Sequence, residues 1–288
     1  MDDLQKEPQK KRFIESSSFF TNCESVDPFS KMTILDSSFL ENVPNRSSCP
    51  VCNRSRKYYC YTCYVPVTEV SGDLPIVNLP VKIDIIKHPK EVDGKSTAAH
   101  AAVLAPNDVK VYTYPDFPSY ENEKVLLIFP GKSAMPFQDW WALKQGSHSM
   151  KSTSSCERSC FKNPGSIVSC EDNFFSDTLS LPFSKVIFID STWRQSKALY
   201  SDPRLNDLAC VFLNSHKSLF WRHQRGKPDT YLATVEAVYY FLVELYHLKF
   251  PGQQYLGEYD NMLFFFKHMY FKIRTVYDLD IQEKSLEV

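Results

Sequence analysis

Four short apolar runs mark the strands of a buried sheet. Two of the runs, Val125-Leu126-Leu127-Ile128-Phe129 and Val186-Ile187-Phe188-Ile189, show no alternation of apolar and polar residues. Strands that helices cover on both faces are apolar throughout, whereas half-exposed strands alternate. The pattern therefore predicts a mostly parallel sheet, with strands at residues 81–87, 125–129, 185–189 and 209–213.

Helical stretches lie between these runs. Residues 96–104 are Ala-rich and begin with hydroxyl residues that favour a helix cap, and residues 192–200 run into the stop signal Asp202-Pro203. The longest candidate covers residues 229–248, where Val235, Tyr239 and Leu242 fall on one apolar face. Because strands and helices alternate along the chain, we expect the α/β class, with a mostly parallel sheet flanked by helices.

The remaining segments are polar and irregular. Residues 1–44 predict a mostly disordered tail with one short helix, and residues 144–178 form a Ser-, Cys- and Asn-rich stretch that we interpret as a flexible insertion. Between them we expect a metal-binding segment at 45–66 and one α/β domain at 67–266. Residues 267–288 are then a C-terminal extension.

Composition narrows the class of protein. The 288 residues are 43% hydrophobic, which is enough for a large core, and no apolar run is long enough to span a membrane. The polar start has no apolar signal core, so we expect an unsecreted protein without a membrane partner. Lys10-Lys11-Arg12 fits either a nuclear-import signal or a solvated tail. We expect nuclear localisation, with the cytoplasm as a second compartment.

Two paired-cysteine motifs carry the strongest local signal. Cys49 and Cys52 form one Cys-x-x-Cys pair, and Cys60 and Cys63 form the other. This spacing predicts a tetrahedral site of four thiolates, for which zinc is the expected metal. Iron suits the same ligands, and four unliganded thiols are the plain alternative. Because four sulfurs leave no open coordination position, we expect a structural site.

A carboxylate follows a central strand. Asp190 ends the apolar run at 185–189, and Ser191, Thr192, Trp193 and Arg194 open the next helix. Ligands of open α/β sheets bind at the carboxyl ends of the strands, and helix N-termini attract anionic groups. Trp193 offers a stacking surface and Arg194 a phosphate contact. The alternative is structural, with Asp190 or Thr192 as a helix cap and Trp193 as core.

Other strand ends and basic residues add to this picture. The loop Pro130-Gly131-Lys132-Ser133 resembles the end of a phosphate-binding loop but lacks its upstream glycine, which disfavours triphosphate hydrolysis. With a net charge of -1, nucleic-acid binding requires a local patch. Arg222 and Arg225 lie in the best candidate patch. The segment between the cysteine pairs is either a second nucleic-acid contact or a solvated ribbon tip, and its cations and aromatics are Arg54, Arg56, Lys57, Tyr58 and Tyr59.

Four blocks of residues, in order, resemble the DTW-domain proteins, the tRNA-uridine aminocarboxypropyltransferases. Asp190-Ser191-Thr192-Trp193 matches their Asp-x-Thr-Trp signature. One four-residue signature is weak, but four blocks in order are specific. The other blocks are the paired cysteines, His88-Pro89-x-Glu91 with Ser96-Thr97, and Thr234-Val235-Glu236-Ala237, so that the resemblance spans residues 45 to 265.

This resemblance implies a fold and a reaction. The fold is SPOUT-like and in this family can contain a deep knot, although general topology rules disfavour knots. The implied reaction moves the 3-amino-3-carboxypropyl group of S-adenosylmethionine to N3 of a tRNA uridine and releases methylthioadenosine. The zinc segment and the insertion look most like the eukaryotic branch, type 1, which acts on a D-loop uridine, expected at position 20.

The resemblance also assigns roles to residues of this chain. Asp190 would accept the N3 proton. The donor would lie among the strand-end loops, and cations would hold the RNA backbone. The residues expected at the donor are Pro130, Gly131, Ser191, Thr192, Trp193 and Leu213, and those expected at RNA are Arg194, Arg222 and Arg225.

Two other functions fit the same sequence. A non-catalytic zinc-ribbon adaptor would bind RNA and use Asp190 only as a helix cap. A SPOUT-type methyltransferase would use the same donor but release adenosylhomocysteine. Oligomeric state has no signal in the sequence.

Overall fold

The computed structural model describes residues 27–43, 45–149, 181–221 and 228–286. Contacts within the chain define two units, Met1–Lys31 and Met32–Val288. The first unit is described only from Asp27, and the architecture below is that of the second. Most of the tail, most of the insertion and the basic cluster at 222–227 lie outside the described residues.

A six-stranded, fully parallel sheet forms the centre of the second unit. Its strand order is β6-β5-β9-β7-β10-β8, so that β9 lies between β5 and β7 although it follows both in sequence. Two small antiparallel pairs, β1 with β2 and β3 with β4, precede it. The strands are β1 (Ser47–Ser48), β2 (Ser55–Arg56), β3 (Tyr59–Cys60), β4 (Val65–Pro66), β5 (Lys82–Lys87), β6 (Val109–Thr113), β7 (Val125–Ile128), β8 (Met135–Pro136), β9 (Lys185–Asp190) and β10 (Ala209–Phe212).

The predicted parallel sheet is confirmed, because four of its strands coincide with the apolar runs to within one residue. All of β7 is buried, and every residue of β5 after Lys82 is buried. The sequence analysis missed the two outermost strands. Lys110 of β6 is exposed and Val111 is half-buried, so this strand does not read as a continuous apolar run, and β8 has only two residues.

Helices flank the sheet. The described residues contain α1 (Ala98–Leu104), α2 (Phe137–Ser149), α3 (Trp193–Tyr200), α4 (Pro203–Asn206), α5 (Thr234–Lys249) and α6 (Phe264–Leu286), with short 3-10 helices at Ser38–Asn42, Thr68–Val70, Asp93–Lys95 and Asp260–Leu263. None of these helices is long and apolar enough to cross a membrane. α2 enters the segment that the sequence marked as an insertion, and α6 runs across the expected domain boundary at residue 266.

α5 begins five residues later than the sequence pattern predicted. The carboxylate of Glu236 accepts a hydrogen bond from the backbone N–H of Ala233 (2.7 Å), and this bond fixes the start of the helix at Thr234. The apolar residues before Ala233 extended the periodic pattern without being helical. The segment from 230 to 232 instead forms a wall of the cleft described below.

Hydrophobic clusters of buried side chains stabilise the part of the unit that the structure describes. One joins the sheet to α3 and α4, through residues such as Leu127, Ile187 and Leu199. Another packs the cysteine-containing segment against α1 and the start of α6, through Tyr58, Leu104 and Phe265 among others. The small N-terminal ribbon is therefore fixed to the α/β core by apolar burial.

Candidate active site and metal centre

A cleft of about 420 Å³ opens where β7, β9 and β10 end. Ligand sites of parallel sheets occur at this edge, and the volume lies within the range of small-molecule sites. Its wall combines apolar and aromatic side chains with several hydroxyls and an amide. The lining residues are Ile128, Phe129, Pro130, Phe188, Ile189, Ser191, Trp193, Ser196, Phe212, Leu213, Asn214, Ser215, Thr230, Tyr231, Leu232, Thr234 and Ala237.

Aromatic rings form one side of the cleft. The ring of Trp193 lies 4.4 Å from that of Tyr231 and 6.2 Å from that of Phe129, measured between centroids. Phe129 in turn packs on Tyr200 at 5.0 Å. Trp193 remains 37% exposed, so it is not the core residue of the structural alternative. This wall suits the flat face of a base.

Asp190 lies directly behind the cleft and is only 5% exposed. Its two carboxylate oxygens each accept a hydroxyl hydrogen bond, Oδ2 from Ser96 (2.6 Å) and Oδ1 from Thr234 (2.6 Å). Burial raises the pKa of Asp190, although these two donors and the nearby Lys87 oppose the shift. The side chain itself does not line the cleft, whereas the bonded Thr234 does.

This carboxylate joins three distant parts of the chain. Ser96 precedes α1, Asp190 ends β9, and Thr234 is the first residue of α5. Of the two residues that the structural alternative offered as a helix cap, Thr192 takes the N-cap position of α3. Asp190 is instead the centre of a buried hydrogen-bond network.

Two buried glutamates of α5 hold the loop after β10 in place. Glu236 accepts hydrogen bonds from the Ser218 hydroxyl and the Leu219 N–H, each at 2.7 Å, in addition to its bond at the helix start. Glu244 accepts from the N–H of Asn214 (3.0 Å) and pairs with His216 Nε2 (2.8 Å). Because the loop residues 213–215 line the cleft, these carboxylates determine its shape.

Four of the six predicted donor-contacting residues line the cleft: Pro130, Ser191, Trp193 and Leu213. Gly131 and Thr192 are not among the lining residues. Thr192 is exposed and donates its hydroxyl to the side-chain oxygen of Gln195 at 2.8 Å. A Cβ on Gly131 would lie 2.6 Å from the Tyr200 ring, so this glycine admits the tyrosine that supports the aromatic wall.

The predicted RNA contacts are only partly visible. Arg194 is exposed on the first turn of α3, directly after the cleft residue Trp193 in sequence. Arg222 and Arg225 lie outside the described residues. The cleft residues that the sequence did not indicate include Thr234 and Tyr231. Thr234 stood in one of the recognised sequence blocks, but nothing local in the sequence indicates that it contacts Asp190.

The four paired cysteines converge on one point. Their sulfurs all lie within 4.8 Å of one another, and Cys52 and Cys60 are 3.7 Å apart. Thiolates that bind a tetrahedral ion at about 2.3 Å lie about 3.8 Å from each other. The residues present therefore fit a four-thiolate metal site.

The two pairs have the same backbone shape. Asn53 follows the first pair and Tyr64 the second, and both adopt a left-handed conformation with φ of 57°. Their N–H groups bond back to the carbonyls of Cys49 (3.0 Å) and Cys60 (2.7 Å). A tyrosine rarely adopts this conformation. Repetition of the same turn at both pairs is the geometry of two knuckles that hold one ion.

Arg56 and Tyr58 are not available to bind RNA. Arg56 is 5% exposed and donates to the Cys60 sulfur at 3.3 Å, while its guanidinium lies over the Tyr61 ring. Tyr58 is also buried and packs edge-on against His268 of α6. These two side chains pack on the cysteine cluster and on α6, so neither is an RNA contact or part of a solvated ribbon tip. Arg54 of the same segment is exposed, and an RNA contact there stays a prediction.

Comparisons with known proteins agree with the sequence blocks. A model of the DTW domain matches residues 57–274. The chain is 47% identical to tRNA-uridine aminocarboxypropyltransferase 1 of Xenopus laevis over 247 residues, 84% of each chain. It is 42% identical to the human protein of the same name over 283 residues, 93% of this chain and 91% of the relative. No solved structure matches the chain.

Proposed function

This chain belongs to the DTW domain family, and from that premise we propose that it is a tRNA-uridine aminocarboxypropyltransferase. The family model covers more than half of the chain, and the curated relatives match it over most of their length. Their names state the group transferred and the acceptor. The observation that carries the assignment in this chain is the cleft beside Asp190, which the signature Asp190-Ser191-Thr192-Trp193 builds at the end of the central strand.

The proposed donor is S-adenosylmethionine. When bound, it supplies a sulfonium leaving group that activates the 3-amino-3-carboxypropyl chain. The cleft supports this choice because it offers an aromatic wall for adenine, through Phe129 and Trp193, together with the hydroxyls of Ser191, Ser215 and Thr230. We propose that Pro130 and Leu213 enclose the nucleoside. Gly131 and Thr192 then affect donor binding indirectly. Gly131 leaves room for the Tyr200 ring behind the aromatic wall, and Thr192 caps α3.

The proposed acceptor atom is N3 of a D-loop uridine, at position 20. N3 carries a proton at neutral pH and is a poor nucleophile until that proton is removed. We propose Asp190 as the final acceptor of the proton, because a carboxylate held in a buried site with raised pKa is a stronger base than one in water. Which carbon of the sulfonium reacts is then decided by which carbon faces N3.

Three further assignments complete the proposal. Arg194, with Arg222 and Arg225, binds the tRNA backbone. Zinc occupies the four-cysteine site and stabilises the ribbon. The protein is nuclear with a cytoplasmic fraction, an expectation that rests on Lys10-Lys11-Arg12. The SPOUT-like arrangement and the knot that the family resemblance implies are proposals of the same kind.

Mass spectrometry of tRNA nucleosides tests the proposed function. Purified protein, S-adenosylmethionine and unmodified tRNA are incubated together, and the expected product is aminocarboxypropyl-uridine at position 20 with an equal amount of methylthioadenosine. Methylated uridine with adenosylhomocysteine would identify a methyltransferase instead. RNA binding without either product would indicate a non-catalytic RNA-binding adaptor.

A further inference from the structure

We propose that Thr234 is a catalytic residue that passes the N3 proton of uridine to Asp190. The proposal rests on the proposed function and adds a residue to its site. It starts from the position of Asp190, whose side chain is buried behind the cleft wall and has both oxygens occupied by hydroxyl donors. Asp190 is not among the residues that line the cleft, whereas Thr234, which is bonded to it, is; a uridine in the cleft therefore meets Thr234 and not the carboxylate.

The two hydroxyls that contact Asp190 are not equivalent. Ser96 is not among the residues that line the cleft, and its oxygen already accepts a hydrogen bond from the N–H of Ala98 (3.1 Å) while it donates to Asp190. Thr234 lines the cleft and donates to Asp190. Among the hydrogen bonds of the described residues, none is donated to its hydroxyl oxygen. A hydroxyl oxygen has two acceptor lone pairs, so that of Thr234 can still accept a proton from a group bound in the cleft.

The position of this hydroxyl is fixed by the backbone around it. Thr234 is the first residue of α5, the N–H of Val235 donates to Thr97 Oγ1 (3.2 Å), and Glu236 fixes the start of the helix through Ala233. The start of α5 is thus linked to the segment before α1 in two ways. Asp190 bonds both Thr234 and Ser96, and Thr97 bonds Val235 directly. A group held in this way meets the demand for a preorganised proton acceptor.

Two proton movements accompany the transfer of the aminocarboxypropyl group. The N3–H bond of uridine breaks as the proton moves to Oγ1 of Thr234, and the hydroxyl proton of Thr234 moves to Oδ1 of Asp190. The N3 electron pair forms the bond to the γ-carbon of the sulfonium donor. The S–Cγ bond breaks and its electron pair stays on sulfur, which leaves as the neutral thioether. Asp190 ends protonated and Thr234 unchanged.

Three matched substitutions test the relay. Thr234→Val keeps the shape but removes the hydroxyl, Thr234→Ser keeps the hydroxyl, and Ser96→Ala removes the other donor to Asp190. Single-turnover formation of aminocarboxypropyl-uridine is measured with saturating S-adenosylmethionine and tRNA, with donor affinity and melting temperature recorded for each variant. We expect Thr234→Val to slow the step at least about 100-fold, and Thr234→Ser and Ser96→Ala to stay within about tenfold of the wild type.

The outcomes separate the relay from the proposed function. If the wild type forms no product, the proposed function fails. If the wild type is active and Thr234→Val matches it, or loses no more than Ser96→Ala, the relay fails alone. If Thr234→Val does not fold, the relay is tested on the wild type by measuring the single-turnover rate in mixtures of H₂O and D₂O. Two protons moving together give a curved dependence on the deuterium fraction, and a straight line would overturn the relay.

Discussion

The cysteine site and the cleft are built in opposite ways. The four sulfurs come from a stretch of fifteen residues, Cys49 to Cys63, in which two identical turns repeat. The network at the cleft joins Ser96, Asp190 and Thr234, which are 94 and 44 residues apart in sequence. A local site forms from its own backbone turns once its ion is bound, whereas the cleft exists only when the sheet and α5 are assembled. The ribbon should therefore unfold when its metal is lost, whereas the cleft should lose activity when the residues around Asp190 shift by a small distance.

Removal of a metal ligand should have the largest effect. Cys60→Ser removes one of four thiolates, and a structural zinc contributes roughly 10 kcal/mol or more to the fold of its site. Because the ribbon packs on α1 and α6, we expect the zinc content to fall from one per chain to near zero and the melting temperature to fall sharply. Elemental analysis and calorimetry measure both. Cys210→Ser changes a buried thiol outside the cluster and should keep the metal; full zinc content in Cys60→Ser would contradict a metal site here.

Loss of the buried carboxylate should abolish transfer while leaving the fold intact. Asp190→Asn keeps the shape and can still hydrogen-bond to the hydroxyls of Ser96 and Thr234, but it cannot take up the proton. We expect the single-turnover rate to fall about 1000-fold or more, with tRNA affinity and melting temperature close to those of the wild type. Asp207→Asn makes the same change at an exposed aspartate and is the control. Normal product yield from Asp190→Asn would remove the base from the proposed mechanism.

The pH dependence should report the same carboxylate. Burial raises its pKa above the ordinary aspartate value, so the rate of transfer should fall as pH decreases through a midpoint above that value. The folded state then binds this proton more tightly than the unfolded state. Its contribution to stability therefore increases as pH falls between the folded and unfolded pKa values, and Asp190→Asn should lack that increase. An acidic limb at or below the ordinary aspartate range would contradict the raised pKa.

A smaller effect is expected at the aromatic wall. In Gly131→Ala the new Cβ meets the end of the Tyr200 ring, so the ring must shift and disturb Phe129. We expect a loss of about 1–2 kcal/mol in stability and a few-fold weaker binding of S-adenosylmethionine, measured by calorimetry. Gly72→Ala, where the Cβ meets nothing, should show neither change. Adding Tyr200→Leu to Gly131→Ala should relieve the clash, so the double variant should lose less stability than the sum of the two single variants. A loss equal to that sum would contradict the clash.

The same contrast explains what the sequence could reveal. The spacing of the cysteine pairs predicts their site, because metal ligands in a knuckle lie at fixed distances in sequence. The inner strands could be predicted because burial on both faces requires apolar runs. The outer strand β6 lacks that signal because several of its side chains are not buried. The start of α5 was placed too early because apolar residues that line a cleft have the same composition as a helix face.

The position of Asp190 at a strand end could also be predicted, but its partners could not. Nothing in the sequence near Ser96 or Thr234 records that their hydroxyls meet on one carboxylate, because that meeting depends on the order of strands in the sheet. The same holds for Tyr200 and Gly131, which are 69 residues apart in the chain and in contact in the fold. Contacts that depend on the order of strands join residues far apart in sequence, so no local pattern of residues predicts them.

The central place of β9 also determines how the chain must be made. On the ribosome, β5, β6 and β7 emerge first, and β5 and β7 each keep an unpaired edge until Lys185–Asp190 arrives between them. Open edges of this kind recruit other strands. Until residue 190 has been made, these strand edges are therefore open to mispairing, and the sheet cannot close before about two thirds of the chain exists.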